Sequence, residues 1–241
     1  MKELSIVIPI LNEANNILKL IPEINKIKKK LKIKKFEILL VDDNSNDNIV
    51  DVVNILKKKY KYLKLIIRKK NTRDLSKSCI LGFKNTSFKN ILVMDGDFQH
   101  HPRFILKMFK TYFESNYDFV IGSRDLFNRK NLGLSKIRRF FSIILIILIN
   151  VLLGNRTKDP MSGFFIFKKK IFTRNKKKLF SYGYKILSDL IYSSKEKLRI
   201  KDITINFDRR ISGKSKMSPS ILFILLTFIL IRFFKKILKL I

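Results

Sequence analysis

The chain has 241 residues, 46% hydrophobic and 12% aromatic, so it can bury a core of one or two domains and is not a disordered polyelectrolyte. Its 52 Lys and Arg against 19 Asp and Glu give a formal net charge of +33, which predicts an anionic partner such as nucleic acid, acidic lipid headgroups or a phosphorylated substrate. The single cysteine, Cys79, excludes an internal disulfide, and we expect a reducing compartment. The chain opens on a strand-like segment, so we expect no signal peptide.

Strand-like and helix-like segments alternate up to residue 125. Apolar runs typical of buried strands occur at 4–10, 36–41, 62–67, 90–94 and 117–121. A short strand is predicted at 163–167 and a further strand at 200–207. Helical spacing, or a proline at a first turn, predicts helices over 14–27, 47–59, 75–83 and 102–113, with basic helices further on. Strands separated by helix-sized segments predict an α/β fold with a mostly parallel, Rossmann-like sheet flanked by helices.

Two later segments, 140–153 and 221–231, are more apolar than a soluble domain requires. Each is shorter than the roughly 20 apolar residues that a bilayer span needs. The second continues into a basic tail with Arg232, Lys235, Lys236 and Lys239. We predict that both lie in the membrane interface, with their basic residues towards anionic headgroups. A buried core helix is the alternative for 140–153.

Polar and acidic side chains follow three of the predicted strands. They are Asn12 and Glu13 after the first strand, Asp42 and Asp43 after the second, and Asp95 and Asp97 after the fourth. Ligands of open α/β sheets bind outside the carboxyl ends of the strands, so these clusters predict a site for a ribose, a base edge and a divalent cation.

The Asp95-Gly96-Asp97 turn is the candidate cation site. Alternation along an extended turn lets both carboxylates face one side, and the small Gly96 leaves room for a diphosphate. Mg²⁺ or Mn²⁺ held in this way would keep open positions for phosphate oxygens. Basic residues that match phosphate geometry follow later in the chain, namely Arg124, Arg138, Arg210, Lys214 and Lys216.

Seven motifs, in order along the chain, resemble those of the family-2 glycosyltransferases with the GT-A fold, and among them the dolichol-phosphate mannose synthase group. The motifs are IPILNE (8–13), VDDNS (41–45), MDGDFQH (94–100), IGSR (121–124), DPMSGFF (159–165), GYKIL (183–187) and RISGKSK (210–216). The segment 73–78 departs from the resemblance, because it lacks the glycine-rich loop of the eukaryotic enzymes. A single apolar tail stands where some relatives carry a multi-span membrane domain.

The resemblance implies a role for each matching residue. The implied substrate-binding residues on the nucleoside side are Pro9, Leu11, Asn12, Glu13, Leu40 and Asp42. The implied metal ligands on the diphosphate are Asp95, Asp97 and Gln99, with Gly96 lining the site. The implied phosphate-binding residues are Arg124, Arg138, Arg210 and Lys216, together with Lys185. The catalytic set is Asp97, Arg124, Arg138, Arg210 and Lys216. The implied domain division is a GT-A domain over 1–218, including an apolar interface helix at 136–153, and a membrane-associating tail over 219–241.

The implied reaction transfers mannose from GDP-mannose to a polyprenyl monophosphate, with Mg²⁺ or Mn²⁺ and with inversion at the anomeric carbon. The second pKa of a phosphate monoester is about 6, so the acceptor needs no dedicated general base. His100 and His101 are therefore interpreted as structural or positioning residues. The expected location is peripheral or weakly anchored, at the cytoplasmic face of an anionic membrane surface. A small membrane-anchoring subunit is one possible partner.

Three alternative functions remain open from the sequence. A transferase that uses UDP-glucose or another UDP-hexose with the same lipid differs only in the donor. A basic nucleic-acid-binding protein would explain the charge, but it predicts aromatic residues interleaved with the basic ones, whereas most of the 21 Phe lie in apolar runs, so no nucleic-acid partner is expected. A non-catalytic membrane adaptor would not need two carboxylates in an Asp-x-Asp turn.

Overall fold

The computed structural model describes residues 2–69, 72–126, 136–183, 185–208 and 219–238, with only the backbone at 136–138 and 219–222. The strands are β1 (Glu3–Ile10), β2 (Lys35–Asp42), β3 (Leu63–Ile67), β4 (Asn90–Val93), β5 (Phe119–Arg124), β6 (Phe165–Lys168) and β7 (Ile200–Ile205). The helices are α1 (Ala14–Leu31), α2 (Ile49–Lys59), α3 (Leu75–Asn85), α4 (Phe104–Glu114), α5 (Lys136–Leu153), α6 (Lys169–Asn175), α7 (Ile186–Tyr192) and α8 (Pro219–Ile237).

The predicted strand–helix alternation is confirmed, with shifts of a few residues at the ends of elements. Helix α2 begins at Ile49 rather than at residue 47, because the Asp47 carboxylate accepts a hydrogen bond from the backbone N–H of Ala14 at 2.8 Å. Strand β5 runs on to Arg124, which pairs with Ile205 at the end of β7. Among the predicted basic helices, α6 fits the description, whereas α7 carries no basic residue and is buried along its length.

The seven strands form one mostly parallel sheet in the order β3-β2-β1-β4-β6-β5-β7. Strand β6 runs antiparallel to both β4 and β5, and the other pairings are parallel. Strand β1 pairs with β2 on one side and with β4 on the other, so the chain reverses its winding between β1 and β4. This switch point is where ligands of open α/β sheets bind, and it brings the ends of β1, β2 and β4 together. The predicted α/β class is confirmed.

Apolar side chains cover both faces of the sheet. On one face, α1, α2 and α4 pack against residues such as Ile6 and Leu40. On the other face, α3, α5, α7 and α8 pack against residues such as Val7 and Phe119. Burial on both faces explains why the strands read as continuous apolar runs rather than as alternating ones.

Helix α8 is docked on the domain through a buried arginine. Arg232 is 1% exposed, and its Nη2 donates to Asp189 Oδ1 at 2.6 Å and to the carbonyl oxygen of Lys178 at 2.7 Å. Leu225 and Ile229 are buried beside it. The prediction that Arg232 faces lipid headgroups is therefore wrong, because the residue neutralises a buried carboxylate instead.

Helices α5 and α8 each have one buried and one exposed apolar face. Leu145 and Ile149 of α5 lie in the core, whereas Ile147 and Val151 are exposed. The core-helix alternative for 140–153 thus holds for one face of the helix, and the interfacial alternative stays a prediction for the exposed face. Within the described ranges, no helix combines the length and the apolar character needed to cross a membrane.

Candidate functional site at the switch point

The turns after β1 and β2 are joined to each other. Asn12 has a left-handed backbone (φ 55°), and its N–H donates to Ser45 Oγ at 2.8 Å. In return, the N–H of Asn46 donates to Asn12 Oδ1 at 2.8 Å. Glu13 is buried and accepts a hydrogen bond from Asn16 Nδ2 at 2.5 Å. These contacts hold the first two predicted polar clusters in one rigid unit at the sheet edge.

The two adjacent carboxylates after β2 have different partners. Asp42 accepts from the backbone N–H of Ser45 at 3.1 Å and lines a cavity of about 420 Å³, together with Asn44 and Lys69. Asp43 instead accepts from Arg68 Nε at 2.6 Å and from the backbone N–H of Asp74 at 2.6 Å. Asp42 thus faces the candidate nucleoside side, and Asp43 ties β2 to the segment before α3.

The other nucleoside-side candidates lie near the end of β1 or beneath it. Leu11 is half-buried just beyond the strand, and Pro9 is buried within it, paired with Val41 of β2. Leu40 is fully buried in the core, so its side chain does not reach the surface of the site. The binding roles of these residues stay predictions.

The Asp95–Asp97 turn leaves the end of β4, next to the switch point. Asp97 is 5% exposed, and its Oδ1 accepts from the backbone N–H of Gln99 at 3.0 Å. Gln99 Nε2 donates to the carbonyl oxygen of Asp208 at 3.4 Å. A Cβ on Gly96 would lie 3.1 Å from Ile10 Cγ2, so a side chain at this position would press on the core.

These residues suit a divalent cation whose coordination shell is completed by the substrate. Among the described residues, no three His, Cys, Asp or Glu side chains gather closely enough to hold a metal ion by themselves. Mg²⁺ is typically held by one or two carboxylates plus phosphate oxygens and waters, which is the donor set that Asp95 and Asp97 offer. The carboxylates therefore fit Mg²⁺ or Mn²⁺ in the presence of a diphosphate.

Arg124 at the end of β5 is fixed by Asp159, a residue to which the sequence motifs assigned no role. Its Nε donates to Asp159 Oδ2 at 2.6 Å and its Nη2 to Asp159 Oδ1 at 2.8 Å. Burial raises the pKa of Asp159, but the guanidinium of Arg124 outweighs it, so the pKa of this carboxyl lies below its ordinary value. The pair is 35 residues apart in the chain, and no local signal links the two positions.

Lys185 lies half-buried before α7 and belongs to the same charged cluster. Burial and the nearby Arg124 lower its pKa to about 8, while Asp159 and Asp95 oppose that shift. Asp95, Arg124 and Lys185 thus lie close enough for their charges to interact. The side chain of Arg138 lies outside the described residues, as do the candidates Arg210 and Lys216, and their roles stay predictions.

A Rossmann-like sheet whose polar residues gather at the strand ends beside its switch point defines a ligand-binding α/β protein. The chain belongs to the glycosyl transferase family 2, whose family model matches residues 5–175. The predicted family, enzyme class and GT-A fold are thereby confirmed.

Individual relatives agree with this assignment. The chain is 30% identical over 223 residues to a dolichol-phosphate mannosyltransferase of Pyrococcus furiosus, with 92% of this chain aligned. It spans 61% of the length of that relative. It is 28% identical over 227 residues to the dolichol-phosphate mannosyltransferase of Saccharomyces cerevisiae, covering 91% of this chain and 83% of the relative.

Solved structures share the fold at lower identity. Glucosyl-3-phosphoglycerate synthase of Mycobacterium tuberculosis, in complex with Mn²⁺, UDP and glucosyl-3-phosphoglycerate, superposes with a TM-score of 0.68 at 16% identity. The match covers 96% of this chain and 78% of that chain. At this identity the likeness supports the fold alone.

Proposed function

We propose that the protein transfers mannose from GDP-mannose to a polyprenyl monophosphate, in a metal-dependent reaction that inverts the anomeric carbon. The observation that carries the proposal is the Asp95–Asp97 turn at the end of β4, beside the switch point of a family-2 glycosyltransferase sheet. The choice of mannose and of a lipid phosphate draws on two relatives that are named dolichol-phosphate mannosyltransferases and that align with more than nine-tenths of this chain.

The donor diphosphate is assigned to the end of β4. Asp95 and Asp97, with Gln99, are the residues that would hold Mg²⁺ or Mn²⁺, and Asp42 lies on the nucleoside side. When bound, the cation supplies positive charge that stabilises the leaving nucleoside diphosphate. The protein supplies preorganisation, because the hydrogen bonds around Asn12, Asp42 and Asp97 fix the strand-end turns before the donor arrives.

The acceptor phosphate is assigned to the basic side of the site. A phosphate monoester is largely ionised near neutral pH, so attack on the anomeric carbon requires alignment of two anions rather than removal of a proton. Arg124 is suited to that task because Asp159 fixes the plane of its guanidinium. Lys185, with a pKa of about 8, contributes a positive charge at neutral pH.

The lipid is assigned to the exposed faces of α5 and α8. The exposed apolar residues there are Phe140, Phe141, Ile144, Ile147 and Val151 on α5, and Phe223, Leu226, Leu230, Phe234 and Ile237 on α8. Lys235 and Lys236 are exposed at the end of α8, where they suit anionic headgroups. We therefore propose a peripheral attachment at the cytoplasmic face of the membrane, with both helices lying in the interface. The division between 1–218 and 219–241, and a small anchoring subunit, stay predictions.

A charged residue on this face should weaken membrane attachment. Val151 and Phe223 are each 73% exposed, and burying an apolar side chain of this size stabilises by about 1.5–3 kcal/mol. We expect Phe223→Asp and Val151→Asp each to reduce binding to anionic vesicles by about 10-fold or more in a sedimentation assay. Ile55→Asp is the matched control, because Ile55 is 60% exposed on α2, across the sheet. Equal losses in all three variants would contradict the assignment.

A donor competition assay tests the reaction itself. Full-length protein is incubated with Mg²⁺ or Mn²⁺, polyprenyl phosphate in vesicles, and either radiolabelled GDP-mannose or radiolabelled UDP-glucose. We expect label in the lipid fraction only from GDP-mannose and only with the cation. If label enters the lipid fraction only from UDP-glucose, the donor is a UDP-hexose and the GDP-mannose assignment is wrong. Tight binding of single-stranded DNA without any transfer would favour a nucleic-acid-binding protein.

A further inference from the structure

His100 is a buried histidine whose surroundings are aromatic. It is 1% exposed, and its ring contacts those of Phe164 and Phe207, at centroid distances of 5.3 and 5.1 Å. Neither ring nitrogen makes a regular hydrogen bond with a described residue. A buried polar ring without such a bond costs free energy, so its retention requires an explanation.

The polar group that the described part of the chain places against this ring is Asp95. His100 Nδ1 lies 3.3 Å from Asp95 Oδ2, and the imidazole also packs against the two phenyl rings. A carboxylate so close favours the tautomer with its proton on Nδ1, which can then donate towards Oδ2.

Gly163 lies against the same carboxylate. A Cβ added at Gly163 would lie 2.6 Å from Asp95 Oδ2 and 3.0 Å from Oδ1, so the carboxylate would have to shift to admit it. The backbone of Gly163 does not have a positive φ, so the turn itself admits a side chain, and the space that a Cβ would need is occupied by the Asp95 carboxylate. The imidazole and the glycine thus both lie against Oδ2 of the Asp95 carboxylate.

We propose that His100 and Gly163 are positioning residues that hold the Asp95 carboxylate in the orientation that binds the divalent cation. This inference rests on the proposed metal role of Asp95 and adds the residues that orient this ligand. Groups that orient a metal ligand typically change metal affinity by about 10- to 100-fold when they are replaced. His100 acts here through its Nδ1–H and not as a general base, in keeping with an acceptor phosphate that is already ionised.

The test measures Mn²⁺ binding, and not only turnover. Full-length protein with GDP is titrated with Mn²⁺, and free Mn²⁺ is read by electron paramagnetic resonance. We expect His100→Phe, which keeps the aromatic packing but lacks the N–H, to raise the Mn²⁺ dissociation constant by about 10-fold or more. His100→Asn places an amide N–H near the position of Nδ1 and should recover most of the affinity. Gly163→Ala should weaken binding independently, by displacing the carboxylate.

His101→Asn is the matched control. His101 is the next residue in the chain, but its Nδ1 accepts the backbone N–H of Arg103 at 3.1 Å. The Mn²⁺ affinity of this variant should therefore not change. Unchanged Mn²⁺ affinity in His100→Phe and Gly163→Ala, with a wild-type thermal transition, would overturn the proposal and leave the proposed function standing. Absence of Mn²⁺ binding in the wild type, with transfer intact, would overturn the metal role of Asp95 and this inference with it.

Discussion

The Asp97→Asn variant should lose about 1,000-fold or more in kcat while it keeps its fold. A cation on the oxygens of the leaving diphosphate would supply several kcal/mol of stabilisation, and each 1.36 kcal/mol corresponds to a factor of ten in rate. Asparagine keeps the shape of the side chain, and its oxygen can still accept the N–H of Gln99 that Asp97 Oδ1 now accepts at 3.0 Å. The substitution therefore removes the negative charge and spares the turn.

Steady-state transfer of mannose to polyprenyl phosphate gives the rate, and circular dichroism with a thermal scan reports the fold. Asp51→Asn is the matched control, because Asp51 is exposed in the first turn of α2. It loses the same charge at a position that does not line the cavity beside Asp42, and it should retain turnover. Near-normal turnover of folded Asp97→Asn would show that this carboxylate is not a metal ligand.

The location of the site could be predicted from the sequence because it follows from the order of elements alone. Continuous apolar runs indicated parallel strands buried on both faces, and parallel strands present their carboxyl ends at one edge. The acids that follow β1, β2 and β4 therefore had to meet near the switch point. The structure places Asp42 and Asp95 there, as that argument requires.

The use of each side chain could not be predicted in the same way. Asp42 and Asp43 are neighbours, but successive residues of a strand point in opposite directions. Only its partners Arg68 and Asp74, more than 20 residues away, show that Asp43 makes structural hydrogen bonds within the fold. The role of Asp159 could not be predicted for the same reason, because its partner Arg124 lies 35 residues away in the chain, at the end of β5.

The orientation of the basic side chains in the tail could not be predicted from the sequence either. Its arginine and lysines look equivalent in sequence, and net charge alone predicts that all of them face an anionic surface. The direction of each depends on how α8 is rotated against α5 and α7, which the buried Leu225, Phe228 and Ile229 decide. That rotation exposes Lys235 and Lys236 and buries Arg232.

Removal of this buried charge should be strongly destabilising. Asp189 accepts the backbone N–H groups of Phe180 and Ser181 at 3.0 and 2.9 Å, and Arg232 supplies its countercharge. Removing one partner of a buried ion pair costs about 3–5 kcal/mol, because the other charge remains unpaired in the interior. Methionine fills much of the volume of the arginine stem, so Arg232→Met isolates the loss of charge and hydrogen bonds from the loss of packing.

We therefore expect Arg232→Met to lower the free energy of unfolding by about 3–5 kcal/mol in urea titrations. Lys235→Met, on the exposed side of the same helix, should change it by less than about 0.5 kcal/mol. The double variant Arg232→Met with Asp189→Asn should be more stable than Arg232→Met alone, since asparagine can still accept one of the two N–H groups without leaving a buried charge. If Arg232→Met were as stable as Lys235→Met, α8 would be held by its apolar contacts alone, and the ion pair would not determine how the helix presents its exposed face.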